Sequence, residues 1–120
     1  MDAHLRAWVA FVAGRLASGS TKAGVYDHAQ GRHVMLSGSV DASSVRVYDH
    51  GRAEHFTGSG DGVRFNFFDH ARSAHVTLTM NGTQFSGQDH GRNEQFSGNV
   101  NGLTVQVFDH ADGSWSQYSA

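Results

Sequence analysis

The dipeptide Asp-His recurs five times, at 27–28, 49–50, 69–70, 89–90 and 109–110, with spacings of 22, 20, 20 and 20 residues. A repeat of this length is one supersecondary unit, and a short alternating one is a β-hairpin. Each copy runs aromatic-Asp-His, then a loop of small and polar residues, then a second polar/apolar alternation. Tyr26, Tyr48, Phe68 and Phe108 hold the aromatic place, and Gln88 replaces it in the fourth copy. Asp61-Gly62, Asn81-Gly82 and Asn101-Gly102 fall between copies and read as type I′ hairpin turns, because glycine tolerates the positive φ such turns need. On that reading Gly60 pairs with Val63, Met80 with Thr83, and Val100 with Leu103. At the other ends, four-residue loops lie between His50 and His55 and between His70 and His75.

Both sets of turns assign the same residues to one face: Val34, Leu36, Val45, Val47, Phe56, Phe65, Phe67, Val76, Leu78, Phe85, Phe96, Val105 and Val107. A register slip of one residue would turn all of them outward. The chain is therefore expected to be mainly β: five hairpin repeats of about 20 residues over 23–120, giving roughly ten strands in an up-and-down antiparallel meander or barrel. A single sheet cannot bury its apolar face alone; it must close or wrap something.

Residues 3–17 supply the filling. They are rich in helix formers and apolar all round in the middle, which marks a helix buried on every side. The length matches a barrel wall, at 1.5 Å per helical residue and about 3.3 Å per strand residue before tilting. The helix is expected to run antiparallel to the first strand, bringing His4 and Arg6 near the Asp-His loops. The inward glycines Gly38, Gly58, Gly60, Gly87 and Gly98 read as gaps where the helix lies close to the wall. A two-layer sheet with the helix outside, or a helix exchanged into a partner, is the alternative. With 120 residues the chain is read as a single domain, 1–120.

Composition excludes several classes. Without cysteine there is neither a disulfide frame nor a thiolate site. A formal net charge of -2 gives no nucleic-acid footprint. No apolar stretch reaches the roughly 20 residues of a membrane span. A signal peptide fits poorly, because Asp2 stands where a basic segment belongs and Arg15 closely follows the apolar run. The expected location is cytoplasmic. Nine histidines, fully protonated, would carry the charge from -2 to +7, so the surface should respond to pH near the ordinary histidine value of about 6.5.

Two groups carry candidate chemistry. The five aspartates, Asp27, Asp49, Asp69, Asp89 and Asp109, fall on the inward face at one rim and read as caps that accept their own loop's N–H groups; a carboxylate ring for a hard cation such as Ca²⁺ is the sharper reading. The histidines fall outward. His28 with His33, His50 with His55, and His70 with His75 flank the same kind of loop, and such pairs can ligate Zn²⁺ or Ni²⁺, although no cofactor is required. Tyr26, Tyr48, Phe68, Phe108, His90, His110 and Trp115 extend them into a belt suited to a protein, a glycan or a second copy of the chain, as in a homo-oligomer. Across neighbouring strands His55 should face Phe68, and Gln95 should face Phe108.

Catalysis finds no motif: no G-x-S-x-G, H-E-x-x-H or phosphate loop is present. Adjacent strand residues point to opposite faces, so no Asp can orient the His that follows it. The hairpins, for example VYDHGRAEHFTGSG, resemble those of small bacterial, actinobacterial proteins with tandem Tyr/Phe-Asp-His repeats. The resemblance covers residues 23–120 and implies no activity, ligand or site residue. The reading is a non-enzymatic binding or assembly module that uses the His/aromatic belt. A transition-metal-binding protein is the second reading. A small-ligand carrier or enzyme with its pocket between helix and wall is the third.

Overall fold

A computed structural model describes residues 1–19 and 22–120. Helix α1 (Ala3–Ser18) is followed by ten strands: β1 (Gly24–Asp27), β2 (Arg32–Val40), β3 (Ser44–Asp49), β4 (Glu54–Gly60), β5 (Arg64–Asp69), β6 (Ala74–Asn81), β7 (Gln84–Asp89), β8 (Glu94–Asn101), β9 (Thr104–Asp109) and β10 (Ser114–Ser119). Each strand pairs antiparallel with its sequence neighbour, and β1 pairs with β10, so the sheet is a closed barrel with α1 inside. Closure removes both sheet edges.

The helix is buried as its sequence requires. Leu5 and every residue from 7 to 13 are at most 1% exposed. They meet the inward residues of the wall, among them Val47, Phe56, Phe67, Val105 and Val107. Each such side chain taken fully from water stabilises the fold by roughly 1.5–3 kcal/mol. Gly19, at φ 67°, ends the helix and donates its N–H to the Arg15 carbonyl at 3.0 Å.

The faces are as expected, but the register within and between hairpins is offset by two residues. Tyr48 pairs with His55 and Asp49 with Glu54, so His50 is the first residue of the loop rather than the partner of His55. Correspondingly, Phe68 faces Thr57, not His55, and Phe108 faces Ser97, not Gln95. The far turns shift in the same way: Asn81 pairs with Gln84 and Asn101 with Thr104. Gly82 and Gly102 have φ near 62° while Thr83 and Leu103 do not share the positive φ, which is the type II′ rather than the type I′ arrangement. A two-residue shift preserves the face of every side chain, which is why the core assignment survives it.

The inward glycines serve a different purpose from the one expected. A Cβ at Gly87 would stand 2.5 Å from Phe96 Cζ, and one at Gly98 would stand 2.5 Å from Phe85 Cζ. These glycines make room for the Phe rings of neighbouring strands, a pairing that covers glycine backbone with an aromatic face. Close helix–wall approach occurs elsewhere, where a Cβ on Gly14 of α1 would come within 2.8 Å of Ala120.

Candidate functional site

The five loop aspartates form the inner rim of one barrel mouth and are at most 3% exposed. Their Oδ1 atoms cap their own loops: Asp27 accepts from Ala29 and Gln30, Asp49 from Gly51 and Arg52, Asp69 from Ala71 and Arg72, Asp89 from Gly91, and Asp109 from Ala111. This two-or-three-residue reach is the Asx turn the sequence suggested. It also sets the register, because capping from the last strand residue leaves the following His in the loop.

The other carboxylate oxygens of Asp49, Asp69 and Asp109 hold the start of α1. Trp8 Nε1 donates to Asp49 Oδ2 at 2.9 Å, His4 Nε2 lies 3.4 Å from Asp69 Oδ2, and the Met1 amine lies 2.9 Å from Asp109 Oδ2. Arg72 bridges two copies, with Nε 2.8 Å from Asp69 and its terminal nitrogens at 2.9 and 3.0 Å from Asp89. Arg6 donates to the Met1 carbonyl at 2.6 Å. Burial raises the Asp69 carboxyl, but hydrogen bonds from His4 and Arg72 outweigh it and hold the group below the ordinary range. Tyr118, paired with Asp27 across the barrel seam, is pushed up to about 12, first by burial and then by the Asp27 charge. The ring is thus filled with protein donors rather than arranged around an open cation position.

Outside, each aromatic ring sits between two partners. Tyr26 touches His28 and His33, Tyr48 touches His50 and His55, and Phe68 touches His70 and His75, all with ring centroids 4.8–5.1 Å apart. Phe108 lies between His110 and Trp115. The proposed metal pairs are therefore separated by an aromatic ring, and among the described residues no group of three or more His, Asp or Glu could hold a metal ion.

The first His of each repeat has a partner the sequence reading missed. Nε2 of His28, His50, His70, His90 and His110 lies 2.8–3.3 Å from the hydroxyls of Ser119, Ser37, Thr57, Thr77 and Ser97 respectively. The backbone N–H of each of these His residues also donates across the same junction, to Gln117, Met35, His55, His75 and Gln95. Each hairpin is stitched to the preceding one by the same pair of bonds, and the His28 copy closes the barrel. The signal was a Ser or Thr thirteen residues before each of His50, His70, His90 and His110. Each Asp faces inward while its adjacent His is bonded outside, so no Asp–His dyad forms within a repeat.

In the last repeat Trp115 stands in place of the second His, as Gln95 does in the fourth. Its indole is 58% exposed and rests on Phe108 at 4.9 Å. Beside it, on the outer wall of β6–β8, lies a depression of about 510 Å³ lined by Trp115, Thr79, Asn81, Gln84, Ser86 and Asn99, with no charged side chain in its lining. Comparison with family models, curated proteins and solved structures returned no match. Among the described residues no helix is long and apolar enough to cross a membrane.

Proposed function

We propose that the protein is a non-enzymatic binding module that takes a neutral, hydroxyl-rich ligand, a glycan segment, on the outer wall beside Trp115. The observation that carries this reading is the pairing of an exposed indole with an uncharged amide-and-hydroxyl surface. A flat aromatic face covers the C–H face of a sugar ring, while amides and hydroxyls exchange hydrogen bonds with its rim. The absence of charge in that lining favours a neutral ligand, because a charged group would lose its water without gaining a partner. The closely filled interior supports a wall site over a carrier cavity around the middle of the helix.

The belt's other rings are half-buried and flanked by imidazoles; they support the wall and extend its contact area. Metal binding has less support, since the first His of each repeat is already engaged by a hydroxyl.

The test is tryptophan fluorescence during titration with a panel of neutral oligosaccharides. Trp8 is fully buried, so a ligand-dependent change reports Trp115. Saturable quenching that disappears in Trp115→Ala is expected for at least one glycan class. Charged and neutral ligands quenching alike, or quenching that persists in the variant, would overturn the reading.

A further inference from the structure

Resting on the glycan reading of the Trp115 wall, we infer that its ligand is an unbranched neutral polysaccharide chain, laid across strands β6 to β10 along a row of five side-chain amides. The row follows from the register. Asn81 pairs with Gln84, Gln84 with Asn99, Asn99 with Gln106, and Gln106 with Gln117. Residues paired in register share a face, so the five stand in one line on the outer wall. Asn81, Gln84 and Gln117 are exposed, and Asn99 and Gln106 are half-buried. Among the described residues the five side chains make one hydrogen bond with protein, from Asn99 Nδ2 to Gln106 Oε1 at a long 3.5 Å. Asn81, Gln84 and Asn99 line the depression beside Trp115, and Gln106 and Gln117 carry the line on to β9 and to β10, the strand of Trp115.

Duplication of a hairpin does not account for this row. Counted from the Asp of its own repeat, Gln84 stands five residues before and Gln106 three before. Gln117 stands eight residues after, Asn99 ten after and Asn81 twelve after. These are five different places in the repeat. At the place of Gln84 the second, third and fifth hairpins carry Ser44, Arg64 and Thr104. At the place of Gln117 the second, third and fourth carry Thr57, Thr77 and Ser97. The amides meet only because the stagger of a closed barrel sets different repeat positions side by side.

The spacing and chemistry of the row select the ligand. Neighbouring strands lie about 4.8 Å apart, so a planar group with two N–H donors and one carbonyl acceptor recurs at that interval. A sugar ring with its linkage spans nearly one such interval, and its hydroxyls both donate and accept. An extended peptide repeats its same-side groups about every 6.7 Å, twice its rise per residue, and loses step with the strands. A phosphate-bearing polymer finds no cation in the row. Trp115, two residues before Gln117 on β10, covers one ring. The amides take the rings that follow, strand by strand; the four intervals, about 19 Å, hold about four rings.

The test is a titration with cello- and laminari-oligosaccharides of two to six glucose rings, followed by Trp115 fluorescence and by the ¹H–¹⁵N signals of the side-chain amides. In at least one series affinity should rise about tenfold or more from two rings to four or five, then level off, as each added ring gains a hydrogen bond. The Gln117 and Gln106 side-chain signals should move with short oligomers, and those of Gln84 and Asn81 only with long ones. Gln84→Thr installs the residue the fifth hairpin carries at that place, and its backbone spectrum reports its fold. It should weaken the six-ring oligomer about fivefold and leave the two-ring oligomer unchanged. Quenching with an affinity flat in length, a Gln84 signal unmoved by six rings, or an unchanged six-ring affinity in Gln84→Thr would overturn the chain and leave the Trp115 reading in place. Side-chain signals that move with protein concentration alone would give the row to a second copy of the protein instead. No quenching by any oligomer would overturn both.

Discussion

Among the described residues Arg72 is the one side chain that ties two repeats together through their buried carboxylates, so Arg72→Met isolates the value of the acidic rim. Removing one partner of a buried ion pair commonly costs about 3–5 kcal/mol, because the remaining charge is left without compensation. Arg72 is 17% exposed and borders the mouth cavity, so water reaches the site, and Asp69 keeps His4. The expected loss is therefore below that range, about 2–3 kcal/mol. For a domain of this size that lowers the melting temperature by roughly 10 °C. A domain with about 5–15 kcal/mol of stability survives the change, so urea unfolding followed by Trp8 fluorescence can measure it. The pH dependence tests the cause. Asp69 is held below its ordinary value, so its contribution is present above the unfolded value of about 4 and is lost as pH falls through the lower folded value. The variant's deficit should therefore hold from neutral pH down to about pH 4 and shrink as the pH falls below it. Arg46→Met, on the exposed outer face, should change stability by less than about 0.5 kcal/mol. An Arg72→Met loss under about 1 kcal/mol, or one that does not shrink below about pH 4, would refute a stabilising role for these pairs.

Two further perturbations follow from the backbone. The last residue of each Asp-His loop has positive φ: Gly31 and Gly113 in the first and fifth loops, but Ala53, Ser73 and Asn93 at 51–54° in the others. A left-handed Ala is strained by about 1–2 kcal/mol, and glycine's greater unfolded-state freedom returns part of that, so Ala53→Gly should gain about 0.5–1 kcal/mol in urea unfolding; Asn93→Gly should gain less, since Asn tolerates this region. Gly98→Ala should lose about 3 kcal/mol or more, because its Cβ would collide with the Gln106 carbonyl as well as Phe85; a variant that melts like the parent would show that the strand pair can part to admit a methyl group.

The architecture was readable because three independent signals converged. Alternation along Phe65 and Phe67 fixed the face, the 20-residue Asp-His period fixed the strand count, and the all-apolar stretch from Ala7 to Ala13 demanded an enclosure. What the alternation could not distinguish was a shift of two residues, since Val47 faces inward whether it pairs with Phe56 or its second neighbour. That choice rests on hydrogen bonds: Asp49 at the strand end draws the N–H groups of Gly51 and Arg52 onto its side chain. Reading Asp49 as a cap was sufficient to recover the correct register, had the cap been placed before the turn was counted. The His residues illustrate the complementary difficulty. As isolated pairs they resemble metal ligands, and only the strand order shows that His50 belongs with Ser37 of the preceding hairpin rather than with His55. Function was legible least of all, because repetition copies a side chain whether or not it is used. The informative positions are therefore the ones where repetition fails: Trp115 where three copies carry His, and Gln30 where three carry Arg. A hairpin copy retained for structure alone has no need to lose the group its siblings use, and both departures border an open depression in the surface.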